Sequence, residues 1–401
     1  MLDATREQNV VVESSLGLCY HAPMSFWHHI PRPIIGLSPM DGVTDPAFRY
    51  IVARHGKPDV QFTEFTNVEE ILYGVDSAWH QLRYAELERP IVAQIYGADP
   101  DKFYQVAHVV CELGFDGVDI NMGCPSKNVS ARGCGAALIK NPPLAREIIR
   151  AVKDGVKDWA QGQRIEAIGL RPKLVEKFKN YSTHAAEGPR QAIPVSVKTR
   201  LGYDSIVIED WVSVLLDECP AVISIHGRTL MQMYKGRADW GAIARAVKLA
   251  HGTSTLILGN GDISSMAELI SRVKETQVHG VLIGRGGLGN PWLFLQKDGA
   301  KAEVVSGEAL NCPLEGEGNG EGDCAGLRWH VPLHQRFQVA LEHARYFEAL
   351  GGASRFAAMR KHLGWYCKGF PGAAETRARM FRTTSSLDVE SVLAEVGYQP
   401  A

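Results

Sequence analysis

None of the cysteines, Cys19, Cys111, Cys124, Cys134, Cys219, Cys312, Cys324 and Cys367, forms a C-x-x-C pair. That absence removes the usual sequence basis for a structural zinc or an iron–sulfur site. Eight cysteines in 401 residues are also too sparse for a disulfide scaffold. Most of them read as buried thiols in a reducing compartment. No stretch supplies the roughly 18 uninterrupted apolar residues that span a bilayer. Asp3, Glu7 and Glu13 occupy the first residues, with no basic run leading into an apolar one, so no secretory signal is read there. A cytoplasmic protein without membrane or metal is the expectation. An excess of one charge is missing too. The net charge of -2 excludes a dedicated polyanion coat and leaves room for a local basic patch.

What is present is an ordinary globular composition, 45% hydrophobic and 22% charged. Short, continuously apolar runs recur at Ile34–Leu37, Val60–Phe62, Ile91–Ile95, Gly117–Asn121, Ile193–Val197, Val222–Ile225, Leu256–Leu258 and Gly280–Ile283. Continuous rather than alternating apolarity marks parallel strands covered on both faces. Helical patterns such as Phe103–Leu113 and Pro143–Val152 lie between them. The repeat predicts an α/β fold, a (β/α)8 TIM barrel over residues 33–300 after an N-terminal extension, 1–32. A doubly wound sheet would want a glycine-rich dinucleotide turn after the first strand, and Ser38-Pro39-Met40-Asp41-Gly42 is not one. Residues 155–191 read as a surface insertion. Residues 301–330 read as an acidic linker, with the Gly/Glu-rich stretch 315–323 at its centre. A small all-helical domain is expected over 331–401. In its middle, residues 355–382, Arg355, Arg360, Lys361, Lys368, Arg377, Arg379 and Arg382 stand against only Glu375, with Phe356, Trp365, Tyr366, Phe370 and Phe381 interleaved. Such a segment suits a phosphate backbone.

Barrel chemistry sits where strands end. The tips read Pro39-Met40-Asp41, Gln94, Asn121-Met122-Gly123-Cys124-Pro125, Lys198-Thr199-Arg200, His226-Gly227-Arg228-Thr229, Asn260-Gly261-Asp262 and Gly284-Arg285-Gly286-Gly287. The last two stand where barrels hold phosphates, with glycines for close backbone approach and Arg285 for charge. Gln94 can bond a heteroaromatic edge, and Lys198 can place positive charge beside a reduced, anionic ring. Flavin mononucleotide, FMN, meets these demands. Arg200 and Arg228 remain open between rim ion pairs and RNA contacts.

These motifs, in this order over residues 33–295, resemble the tRNA-dihydrouridine synthases, flavoenzymes that reduce uridines in tRNA. Asn121-Met122-Gly123-Cys124-Pro125 is the most specific of them, and Lys368-Gly369-Phe370-Pro371-Gly372 resembles the bacterial branch. The resemblance implies FMN contacts from Pro39, Met40, Asp41, Gln94, Lys198, His226, Asn260, Gly261, Asp262, Gly284 and Arg285. It also implies Asn121 near the substrate base, Cys124 as proton donor, NADPH as reductant and a D-loop uridine of tRNA as substrate. Asp41 departs from the small residue common there.

Reduction of the uracil C5=C6 bond needs a hydride at C6 and a proton at C5. A thiol of reference pKa about 8.5 stays protonated at neutral pH and can donate, so Cys124 is expected not to be strongly acidified. The target uridine must leave its stack to enter a barrel. Two other readings compete: an FMN barrel reducing a free pyrimidine or other small molecule, and a non-catalytic RNA-binding barrel.

Overall fold

The computed structural model describes residues 25–181, 190–306 and 331–398. Among these residues nine parallel strands form one sheet: β1 (Ile34–Leu37), β2 (Gln61–Phe62), β3 (Thr66–Asn67), β4 (Ile91–Tyr96), β5 (Gly117–Met122), β6 (Val195–Arg200), β7 (Val222–His226), β8 (Leu256–Asn260) and β9 (Gly280–Ile283). Neighbours run β1-β9-β8-β7-β6-β5-β4-β2, with the short β3 added on β4. A parallel bridge between Gly36 and Val60 joins β1 to β2. Hydrogen bonds from Leu37 N–H to the Val60 carbonyl (3.0 Å) and from Asp59 N–H to the Ile35 carbonyl (2.8 Å) complete that seam. The architecture is the expected α/β barrel.

Helices cover its outside, and most of the crossover helices combine an apolar face with a polar start. Asp45, Asn67, Asp99, Asp239 and Ser265 each accept a first-turn N–H of the helix they precede. At the amino end of the strands the interior is closed by Trp27, fully buried with Ile34, Phe62, Val92, Leu256 and Leu282. Residues 25–32 thus belong to the barrel floor. Towards the carboxyl ends the inner face turns polar. The two-residue strand period sets Ser196, Lys198 and Arg200 on one side of β6, and Asp119 and Asn121 on one side of β5.

The helix beginning at Pro142 continues to Ala160, so the lengthened unit starts later than residue 155. Beyond it, Ile165, Ile168, Leu174 and Phe178 are buried in the main core. Lys297–Ser306 is helical, which takes the start of the expected linker into the barrel's last helix. The acidic stretch 315–323, the first 24 residues and 182–189 lie outside the described residues.

Among the described residues from Leu333 onward the elements are all helical, chiefly Leu333–Phe347, Arg360–Tyr366, Ala373–Met380 and Ser386–Glu395, with shorter turns over Glu348–Gly352 and Ala353–Ala358. Phe337, Leu341, Ala344 and Phe347 pack inward as their spacing predicts, and Gly351 (φ 84°) lets the chain turn out of the first helix. Their core includes Ala47, Ile51 and Trp292 of the barrel, so the helical segment and the barrel share one apolar seam. His362 lies 3.3 Å from Asp45, and Lys361 donates to the Gly42 carbonyl. The loop that carries Asp41 is therefore held from the helical side.

Candidate active site

One cavity of about 860 Å³ opens at the carboxyl ends of the strands. Its lining includes Pro39, Met40, Asp41, Gln94, Asn121, Cys124, Lys198, His226, Asn260, Gly261, Asp262, Gly284 and Arg285. The structure thus brings together Cys124, Asn121 and every residue expected to contact FMN, while Met122, Thr199, Gly227, Arg228, Thr229 and Gly287 of the same tips lie outside the lining. Phe65, Met233, Tyr234, Ser264 and Glu268 also line it and were not anticipated.

The floor is a fixed chain of polar groups. Ser196 Oγ donates to Asp119 Oδ1 (2.6 Å), and Gln94 Nε2 donates to Asp119 Oδ2 (2.7 Å). Asn121 Nδ2 then donates to Gln94 Oε1 (3.0 Å). Asn121 Oδ1 in turn accepts the N–H groups of Gly123 (3.0 Å) and Cys124 (2.8 Å). Each amide is therefore held in one of its two orientations, and the cysteine loop is tied to that chain. Asp119 and Gln94 are completely buried. Burial pushes the Asp119 carboxyl up to about 6, against the lowering effect of Ser196, Gln94 and Lys198.

Cys124 is buried beside Val129 and Cys134, with Phe65 and Tyr96 packed against them. Burial raises its pKa above the ordinary thiol value, aided by the charge of Asp41 and opposed by the Ser126 amide, Arg200 and Lys198. The thiol is not acidified, as expected from its proposed chemistry. Lys198 is pushed down to about 8 by burial and by Arg200. His226 falls to about 2 through burial and the charges of Arg200, Lys198, Arg228 and Arg285, so it is a neutral imidazole at physiological pH.

Arg200 and Arg228 are resolved as braces. Arg200 Nε donates to the Gly123 carbonyl (2.6 Å), and its Nη1 donates to the carbonyls of Thr229 (3.1 Å) and Met233 (3.2 Å). Arg228 donates to the carbonyls of Lys235 (3.2 Å) and Gly236 (2.6 Å) and to Asp262 Oδ2 (2.6 Å). Both arginines are buried. No sequence signal separated these roles, because either arginine would look the same on an exposed rim.

The wall formed by the tips of β8 and β9 is backbone-rich. Gly261 has φ 131°, and a Cβ there would lie 2.7 Å from Ala238 Cβ. Gly286 would place a Cβ 2.5 Å from the Ile263 carbonyl oxygen. Asp262 Oδ1 accepts from Arg285 Nη2 (3.0 Å), while Oδ2 accepts from Arg228 and from Ala238 N–H (2.8 Å). Its carboxylate is therefore spent on positioning arginines. Asn260 Nδ2 donates to the Leu282 carbonyl (2.8 Å), tying β8 to β9. Arg285, more than half exposed, leaves this wall positively charged. The wall can hold an anion, and the floor can hold a flat polar ring.

Residues 36–161 and 172–396 match the family model described as "Dihydrouridine synthase (Dus)". The chain is 35% identical over 374 residues to "Probable tRNA-dihydrouridine synthase 2" of Bacillus subtilis (strain 168), covering 92% of this chain and 95% of the relative. It is 32% identical over 376 residues to "Probable tRNA-dihydrouridine synthase" of Staphylococcus aureus (strain COL), with the same coverage. With the motif order, the barrel and its cavity already in agreement, the chain belongs to the dihydrouridine synthase family.

Proposed function

We propose that this protein is a tRNA-dihydrouridine synthase, an oxidoreductase that converts specific D-loop uridines to 5,6-dihydrouridine with FMN as cofactor and NADPH as reductant. The observation that carries the reading is the position of Cys124. It stands at the tip of β5, across the barrel from the glycine-rich tip of β9, and both line one cavity.

The donor set fits FMN. Gly261 and Gly286 set the backbone path of the phosphate wall, where a Cβ would clash with Ala238 or the Ile263 carbonyl, and Arg285 supplies charge. Gln94 and Lys198 face the space for the ring, with Pro39, Met40 and Asp41 on the β1 side and His226 beside Gly261. Asn260 and Asp262 contribute by holding Leu282, Arg228 and Arg285 in place. When bound, FMN supplies the hydride that goes to C6 of the uracil.

The chain's own residues do the rest. Asn121 positions the base. Cys124 keeps its proton at neutral pH and delivers it to C5, and the resulting thiolate regains a proton from solvent. NADPH restores the two electrons consumed. The helical segment holds the tRNA through Arg355, Lys368 and Arg382, all exposed. Arg379 is paired with Glu395 and Arg360 with the Thr383 carbonyl, so these two serve the fold first. Cys124→Ala in cells lacking the wild-type gene tests the reading. Dihydrouridine at one or more tRNA positions should vanish and return only with the wild-type chain. Unchanged dihydrouridine at every position, or reduction of free uracil with no gain from tRNA, contradicts it.

A further inference from the structure

The loop after β7 carries three large apolar side chains in the open. Met231 is 64%, Met233 44% and Tyr234 61% exposed. Isolated exposed apolar residues need no explanation, but three within four positions at a cavity rim form a patch. Met233 and Tyr234 line that cavity themselves.

The loop is held open against collapse. Arg200 and Arg228 donate to the carbonyls of Thr229, Met233, Lys235 and Gly236. Thr229 N–H donates to Gln232 Oε1 (2.8 Å), and Met231 N–H donates to the Tyr203 carbonyl (2.9 Å). Met233 sits at φ 50°, a left-handed conformation that a side-chain-bearing residue adopts only when its surroundings impose it. A fixed backbone that presents apolar side chains to solvent indicates a partner surface. Lys235 and Arg237 follow directly, both exposed and neither in an ion pair among the described residues. Apolar and aromatic contact area next to unpaired positive charge is the chemistry of an unstacked nucleobase and its phosphate.

We propose that Met231, Met233 and Tyr234 form a stacking platform for the nucleobase beside the reduced uridine, with Lys235 and Arg237 on the adjoining phosphates. The proposal rests on tRNA being the substrate. Moving one uridine out of its stack leaves its neighbour with an uncovered face, and the platform covers that face while the uridine occupies the cavity.

The test uses the full-length holoenzyme and unmodified tRNA transcripts, some with a single abasic residue immediately 5′ or 3′ of the reduced uridine. Tyr234→Ala should raise KM for intact tRNA about tenfold, an effect on KM more than on kcat, with FMN content retained. Tyr234→Phe should restore most of it, and Met231→Ala should give a smaller loss of the same kind. One abasic transcript should raise the wild-type KM similarly and show no further loss with Tyr234→Ala. Unchanged KM in Tyr234→Ala overturns the platform. So does lost FMN, which would make Tyr234 a cofactor contact, or an equal additional loss on both abasic transcripts. A wild-type holoenzyme that forms no dihydrouridine in any transcript defeats the functional reading instead.

Discussion

Gln94 Nε2 donates to Asp119 Oδ2 at 2.7 Å inside the barrel, and neither residue is reached by solvent. A carboxylate can only accept, so this contact forces Gln94 Oε1 toward Asn121 and, through Asn121 Oδ1, fixes the amides of Gly123 and Cys124. The orientation of the cavity floor thus begins at an acid that never touches the cavity.

Asp119→Asn is expected to keep the fold, because an asparagine can satisfy both Gln94 and Ser196, yet to allow Gln94 to turn over. FMN affinity should fall about tenfold, on the order of 1.4 kcal/mol, within the range for a hydrogen bond to a charged group. Fluorescence titration of apoprotein with FMN measures it. The wild-type carboxyl also has a folded-state pKa of about 6 against 3.8 unfolded. Between those values the folded chain holds a proton that the unfolded chain has released. Stability therefore falls as pH rises from about 4 to 6, and Asp119→Asn should remove that slope in denaturant melts.

Lys198 has the opposite sign. Its pKa is about 8 in the folded protein and 10.5 in the reference state, so the unfolded chain binds more protons between those values. Apoprotein stability from this group rises as pH increases through that window, and Lys198→Met abolishes the rise. FMN affinity should weaken as pH rises through about 8 in the wild type, where half of the ammonium has lost its charge, and be lower and flatter in Lys198→Met.

Gly261→Ala introduces a Cβ 2.7 Å from Ala238 at a φ of 131°. Strain of roughly 1–3 kcal/mol is expected, with loss of bound flavin. Gly284→Ala meets nothing tighter than the movable Met40 Sδ at 3.2 Å. Thermal melts should therefore separate the two, with Gly261→Ala much the less stable.

The pH profile of the reductive step should show no acidic limb from Cys124, since its pKa lies above the ordinary thiol value. Activity should decline only at alkaline pH as the thiol loses its proton. A thiol titration by absorbance at 240 nm, compared with Cys124→Ser, locates that limb.

Much of this was legible from the chain because apolar runs report strands and the residues after them report the mouth. The runs ended too early, however. β5 reaches Met122 and β6 reaches Arg200, because inward-facing polar residues near the strand ends still belong to the ladder. β6 begins only at Val195, since Pro194 has no N–H to give and serves through its carbonyl, which accepts from Val118. β3, two residues long, carried no periodicity to read. Asp119 within an apolar run was a usable signal for a buried polar network and was passed over. The platform at Met231–Tyr234 could not be read at all, because exposure depends on Arg200 and Arg228 seizing the loop's carbonyls from elsewhere in the fold.

The most direct measurement is the single-turnover rate at which anaerobically reduced holoenzyme forms dihydrouridine in unmodified tRNA, wild type against Cys124→Ala. Loss of the proton donor should slow that step by about a hundredfold or more while flavin content and tRNA affinity stay within twofold. A variant that turns over at the wild-type rate would contradict the assignment of Cys124 as the acid.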